Sequence, residues 1–140
     1  MEATIPFGPR LIGETEKTLN ALLRIGLADT ALTEHHWVVL RSANLTPARS
    51  TADLIDTASG RTHLTEVPRL VDELTDRGLL ADGRVTPAGT ALLTEVHDRI
   101  RAMTAPVWRD LPTDDVRATE RTLSTVLARA NAALRAAESS

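Results

Sequence analysis

The chain has 140 residues, a formal net charge of −3 and no cysteine. A chain of this length fits one domain and buries a core without disulfides or a structural metal. The lack of cysteine excludes disulfides, thiolate metal sites and cysteine nucleophiles. The negative charge argues against a protein that binds polyanions through a general basic excess. Apolar residues make up 42% of the chain but aromatic residues only 2%, which favours helices over strands.

Neither end of the chain nor its interior suggests a membrane. The first residues are acidic at Glu2 and are interrupted by Pro6 and Pro9, so we expect no signal peptide. No apolar run approaches the roughly 18 residues that a membrane span requires. We therefore expect a cytoplasmic protein.

The first third of the chain predicts two helices. From Pro9 to about Ala28 apolar residues recur at mostly helical spacing, and Pro9 falls near the first turn, where a missing N–H is harmless. Thr33 can cap a second helix that runs through Ser42 and is largely apolar around Trp37. We expect this second helix to be buried.

The middle of the chain predicts two short helices joined by a tight turn. Ser50 or Thr51 can cap a helix over residues 52–57, which Ser59-Gly60 would end. From about His63 to Arg77 apolar residues repeat at spacings of three and four. Pro68 lies inside this second segment and fits only if the first turn begins near Thr65, because later positions need its missing N–H.

A short hairpin and two long helices complete the predicted order. Residues 79–81 and 84–86 flank Asp82-Gly83, a dipeptide suited to a two-residue type I′ turn. Thr86-Pro87 can begin a helix that reaches about Ala105, and Thr113 can cap a last helix with an apolar stripe.

No arrangement of residues points to catalysis or to a metal. The sequence contains no phosphate-binding glycine loop, metalloprotease motif or recognisable catalytic triad. His35 and His36 are adjacent, so on a helix they point about 100° apart and favour solvated or capping roles. Glu95, His97 and Asp98 likewise fan around a helix. We expect no catalytic residue, no metal and no cofactor, and the protein is not predicted to be an enzyme.

The order helix, helix, helix-turn-helix, hairpin and two helices is that of a winged helix with dimerisation arms. Four segments follow this order, namely LTEHHWVVLR at 32–41, VPRLVDELTDRGLL at 67–80, VTPAGTALL at 85–93 and LPTDDV at 111–116. Together they resemble the MarR family of bacterial regulators, and the resemblance covers nearly the whole chain.

This resemblance implies a mostly α fold with a short β-hairpin wing. It implies a single domain over residues 1–140, with a winged helix-turn-helix lobe at 30–90 and dimerisation helices at 9–28 and 88–137. It also implies a homodimer, a recognition helix around Thr62–Arg77 and a small aromatic effector. The function it implies is that of a ligand-responsive repressor on a pseudo-palindromic operator.

Seven residues are the candidates for contact with double-stranded DNA: Arg49, Arg61, His63, Thr65, Glu66, Arg69 and Arg84. Arg61 and Arg69 fit surface ion pairs equally well, and such pairs contribute about 0–1 kcal/mol. Glu66 can accept from the amino group of cytosine. Trp37 and Trp108 are the candidates for a ligand pocket, although Trp37 also suits a core position.

Two features depart from the family pattern. The wing is short and offers Arg84 as its only cation. Between Arg49 and Arg84, both included, five arginines stand against seven acidic residues. Because carboxylates oppose phosphates, an alternative function is a ligand- or protein-binding winged-helix module with weak or lost DNA binding.

Overall fold

The computed structural model describes residues 4–139. The chain divides into two compact units, Met1–Thr104 and Ala105–Ser140. The described residues form six helices and one two-stranded antiparallel sheet, which confirms the predicted mostly α fold with a short hairpin. In chain order the elements are α1 (Pro9–Gly26), α2 (Glu34–Leu45), α3 (Thr51–Thr62), α4 (Val67–Asp76), β1 (Leu80–Ala81), β2 (Arg84–Val85), α5 (Pro87–Trp108) and α6 (Thr113–Glu138). None of the helices within residues 4–139 is long and apolar enough to cross a membrane.

The first unit is built around one hydrophobic core. Leucine and valine side chains from α2, α3, α4, the hairpin and α5 fill it because each element turns one apolar stripe inward. Its largest fully enclosed side chains are Leu40, Leu54, Leu70, Leu74, Leu80, Val39, Val67, Val71 and Val96. This shared core holds α3, α4 and the hairpin next to one another.

Side-chain caps fix the starts of α2 and α3. The Thr33 hydroxyl accepts from the backbone N–H of His36, and the Thr33 N–H donates to Nδ1 of His36 at 3.1 Å, which forms a capping box. Ser50, rather than Thr51, caps α3 by accepting from the backbone N–H of Asp53 at 3.1 Å. Both caps satisfy N–H groups that a helix start otherwise leaves unpaired.

Three predicted boundaries of α2, α3 and α4 were wrong. α2 continues past Ser42 to Leu45. α3 does not end at Ser59-Gly60 but runs to Thr62, because the left-handed residue that ends the helix is His63, with φ of +57°. α4 begins at Val67, which places Pro68 in the first turn, where it needs no intrahelical donor.

The hairpin between α4 and α5 has the predicted turn. Leu80 pairs with Val85, and Asp82 and Gly83 have φ of +51° and +81°, positive at both central positions as a type I′ turn requires. Each strand is one residue shorter than predicted. Gly83 is buried against the start of α3, and a Cβ at this position would lie 2.4 Å from the carbonyl oxygen of Ser50. The wing tip is therefore packed on the helix-turn-helix pair.

The second unit contains the end of α5 and all of α6. α5 passes the predicted end at Ala105 and reaches Trp108, and the N–H of Arg109 still donates to the Ala105 carbonyl at 3.2 Å. Thr113 is the first helical residue of α6 rather than its cap, which is Pro112. No described residue of α6 is buried.

Candidate nucleic-acid interface

α4 turns its apolar stripe into the core and leaves its opposite face exposed. The exposed residues of this helix are Pro68, Arg69, Asp72, Thr75 and Asp76. The stripe and the exposed face follow from the three-and-four spacing of valines and leucines in the segment. The exposed face carries one positive and two negative charges, so it is not basic.

Arg69 is held by two carboxylates of its own helix segment. Its guanidinium donates to Glu66 at 2.7 Å and to Glu73 at 2.6 Å. The hydrogen bond from Arg69, together with that from His35, lowers the pKa of the Glu66 carboxyl, and the bond to Glu66 raises the pKa of Arg69. The one cation on the exposed face of α4 is therefore neutralised within the protein.

Two histidines of α2 extend this arrangement. Nδ1 of His35 lies 2.5 Å from an oxygen of Glu66, and Nε2 of His36 lies 3.2 Å from an oxygen of Glu73. We call these four residues, together with Arg69, the α2–α4 network. Within residues 4–139 no group of three or more histidine, cysteine or acidic side chains could hold a metal ion.

Two more of the candidate arginines, Arg61 and Arg84, contact hydroxyl and carbonyl oxygens of the protein. Arg61 donates to the Ser42 carbonyl and hydroxyl at 3.4 and 3.3 Å and also to the Thr46 hydroxyl, which ties the end of α3 to the end of α2. Nε of Arg84 donates to the carbonyl of Ala48 at 3.0 Å. Arg84 thus braces the wing against the loop before α3.

Three of the seven candidate residues are exposed with free side chains. Among the residues that the structure describes, the side chains of Arg49, His63 and Thr65 form no hydrogen bond or ion pair. Arg49 precedes α3, and the other two lie in the turn between α3 and α4. The free donors therefore lie at the ends of α3, and the remaining four candidates are engaged internally.

Trp37 and Trp108 lie in different units. Trp37 is 3% exposed, and its ring packs at a tilt against His97 with centroids 5.4 Å apart. Trp108 is 57% exposed at the end of α5.

A cavity of about 310 Å³ opens in the first unit between α1, α2 and the end of α3. Its lining includes Glu16 and Asn20 from α1, His35 from α2 and Arg61 from α3. Sequence reasoning missed this cavity and the α2–α4 network. His35 and Glu66 are 31 residues apart, a separation that carries no periodic signal.

Comparison with known proteins agrees with this geometry. The chain matches the model of a helix-turn-helix family over residues 33–137, which is 105 of its 140 residues. It is similar to the structure of CouR from Rhodococcus jostii RHA1 bound to p-coumaroyl-CoA, with 20% identity, a TM-score of 0.69 and coverage of 83% of this chain and 88% of that one. No curated protein sequence matches the chain.

Two further solved structures extend this similarity. One is BpsR of Bordetella bronchiseptica, whose DNA binding is regulated by 6-hydroxynicotinic acid, with 22% identity, a TM-score of 0.63 and coverage of 84% and 96% of the two chains. The other is a MarR family protein of Mycobacterium tuberculosis in complex with p-aminosalicylic acid, with 26% identity, a TM-score of 0.60 and coverage of 87% and 98%. The chain therefore belongs to a helix-turn-helix family, and its fold is similar to that of winged-helix regulators of the MarR type.

Proposed function

We propose that the protein is a cytoplasmic, ligand-responsive repressor that binds a pseudo-palindromic operator in double-stranded DNA as a homodimer. The observation that carries this proposal is α4, which exposes one face beside a hairpin and follows a turn with free His63 and Thr65 side chains. A helix presented in this way fits the major groove. In a dimer, two such helices would lie about one DNA turn apart, roughly 34–36 Å.

The apolar surface of α6 supports dimerisation with a second copy of the chain. Five large apolar side chains of this helix are 37–63% exposed, namely Val116, Leu123, Val126, Leu127 and Leu134. α1 adds Ile12 and Ile25, which are 37% and 62% exposed. Exposed apolar stripes of this length mark protein interaction surfaces. A second copy would bury them.

The ligand response is supported by the cavity beside α1. His35 lines this cavity and also contacts Glu66, so a small aromatic ligand there would act on the residue that precedes α4. A ligand shifts a conformational equilibrium only by its differential affinity for the two states, and contact with His35 supplies such a difference. Trp37 and Trp108 do not line this cavity, and their contact with a ligand stays a prediction. Similar proteins were solved with p-coumaroyl-CoA and p-aminosalicylic acid.

Selection of the purified protein against random duplex DNA tests the proposal. Enriched sequences are checked by fluorescence anisotropy at about 50 mM and about 200 mM salt, a range over which purely electrostatic binding is largely lost. We expect a palindrome whose binding survives the higher salt. Arg49→Ala should weaken binding to it, whereas Arg10→Ala, at an exposed ion pair with Glu14, serves as the control. Failure to enrich any sequence would contradict the proposal.

One observation favours the alternative, a ligand- or protein-binding module with weak or lost DNA binding. Arg61, Arg69 and Arg84 are all engaged within the protein. The exposed face of α4 adds Asp72 and Asp76. Each phosphate contact that is missing lowers affinity and flattens its salt dependence.

The double substitution Glu66→Gln and Glu73→Gln separates the two functions. It removes two carboxylates and releases Arg69, so a DNA-binding protein should bind more tightly at low salt. The slope of log affinity against log salt should steepen by about 0.9 if Arg69 gains one phosphate contact. The measurement is anisotropy with one duplex over a series of salt concentrations.

The matched control is Asp72→Asn with Asp76→Asn, which removes the same charge from α4 without releasing Arg69. An equal gain in DNA affinity in both variants would mean that only the net charge of the protein affects binding. Unchanged binding in the glutamine variant would favour the alternative function.

A further inference from the structure

The α2–α4 network connects the cavity beside α1 to the exposed face of α4. His35 lines that cavity, and its Nδ1 also contacts Glu66, the residue before α4. Glu66 in turn accepts from Arg69, the one cation on the exposed face of the helix. A change of charge at His35 therefore acts on Arg69 through a single carboxylate.

The sign of the charge on this network depends on its two histidines. Arg69 contributes one positive charge, and Glu66 and Glu73 contribute two negative charges, so the network carries −1 when both rings are neutral. The hydrogen bonds that Glu66 accepts from Arg69 and from His35 lower its pKa, so this carboxylate stays charged where histidine titrates. Histidine is the side chain that ordinarily changes its charge between pH 5 and 8. Protonation of one ring thus brings the charge of the network to zero.

The cap of α2 holds His36 in its neutral form. Nδ1 of this ring accepts the N–H of Thr33 at 3.1 Å, and Nε2 lies 3.2 Å from an oxygen of Glu73. Only the neutral ring with its proton on Nε2 accepts at Nδ1 and donates to Glu73 at the same time. A second proton, on Nδ1 of this buried ring, would leave the N–H of Thr33 without its acceptor.

His35 is free of this restraint. Its side chain is 46% exposed, and within the described part of the chain only Nδ1 of the ring has a hydrogen-bond partner. Nε2 therefore takes up a proton without loss of a hydrogen bond. The charged residues that face His35 are Glu66 before α4 and, around the cavity, Glu16 of α1, Glu34 of α2 and Arg61 of α3, with Arg24 of α1 paired to Glu34. None of these five is a histidine, so His35 is the group whose charge ordinarily changes near neutral pH.

We propose that protonation of His35 weakens the hold of Glu66 on Arg69 and so strengthens DNA binding as the pH falls. A protonated ring binds Glu66 by a charge-assisted bond and places a second positive charge close to the guanidinium of Arg69. One carboxylate then faces two cations, and α4 presents more positive charge to a phosphate. The effect on DNA rests on the proposed function, whereas the link between His35 and Arg69 does not.

Fluorescence anisotropy with one duplex at constant ionic strength tests the effect on DNA. We expect the affinity to be at least about fivefold higher at about pH 6 than at about pH 8, a factor common for two coupled sites. The ratio of affinities should fall towards one in His35→Gln, whose amide takes up no proton. A pH dependence that is unchanged in this variant would overturn the effect on DNA.

The matched control is His63→Gln. His63 is an exposed histidine in the turn before α4 and has no contact with the network. This variant should keep the pH dependence of the original protein even if it binds DNA less tightly. Loss of the pH dependence in His63→Gln alone would assign it to direct contact between His63 and DNA and would contradict the proposal.

NMR in the absence of DNA tests the link itself, so its failure is distinct from failure of the proposed regulatory function. The ring of His35 and the Nε–H of Arg69 are followed from about pH 8 to about pH 6. We expect the Arg69 signal to shift with the same midpoint as the His35 ring and to lose this shift in His35→Gln. An Arg69 signal that does not respond, or that responds equally in the variant, would overturn the inference. If no duplex binds but Arg69 follows His35, only the proposed function fails.

Discussion

Replacing Leu123 and Leu127 with aspartate is expected to convert a dimer into monomers and to abolish operator binding. The two side chains are 40% and 63% exposed on a helix of 26 residues that has no buried residue. Burying a leucine contributes about 1.5–3 kcal/mol, and a buried unpaired carboxylate costs several more. We expect the dimer dissociation constant to rise at least about 100-fold, measured by sedimentation equilibrium.

The matched control places two aspartates elsewhere on the same helix. Ala118 and Thr125 lie about 140–180° away from the leucines around the helix at 100° per residue. Ala118→Asp with Thr125→Asp should leave the dimer intact. If the leucine variant remains dimeric, α6 does not form the interface.

Substitution of Gly83 by alanine adds a single carbon atom but should cause a large loss of stability. The residue has φ of +81°, and its new Cβ would lie 2.4 Å from the carbonyl oxygen of Ser50 and 2.9 Å from the nitrogen of Thr51. Left-handed backbone costs a residue with a Cβ about 1–2 kcal/mol, and the backbone clash adds to this. We expect the free energy of unfolding to fall by about 2–4 kcal/mol, measured by urea denaturation.

Gly78 offers a control with the same backbone cost and no clash. Its φ is +75°, but no heavy atom lies within 4 Å of the position of a Cβ. Gly78→Ala should therefore lower the free energy of unfolding only by the cost of the left-handed backbone, about 1–2 kcal/mol. If both variants lose the same stability, contact with Ser50 does not hold the wing in place.

The sequence predicted those elements whose residue pattern lies within a short segment of the chain. The apolar stripe of α4, the Asp82-Gly83 turn and the start of α5 at Pro87 each follow from residues within one or two turns of each other. The ends of helices were less predictable. Gly60 permits a helix to stop but does not require it, and α3 ends at His63 instead.

The partners of the charged residues could not be predicted for a different reason. Arg61 reaches Ser42, and His36 reaches Glu73, across separations of 19 and 37 residues. Such contacts depend on how the helices pack. The periodicity of apolar residues predicts a helix but does not indicate which helix packs against which. The sequence therefore identified the polar candidates of the site but not which of them remain free.

The packing of Gly83 against Ser50 bears on how the protein would read an operator. The wing has two residues per strand, Gly83 at its tip is buried, and Arg84 donates to Ala48, so the wing supports the start of α3 instead of extending away from it. In the proposed complex the wing therefore would not reach into the minor groove. Residues at the ends of α3 and in the first turn of α4 would make the contacts with the bases. Each half-site would then be narrow, and its sequence information would be confined to the major groove, where all four base pairs are distinguishable.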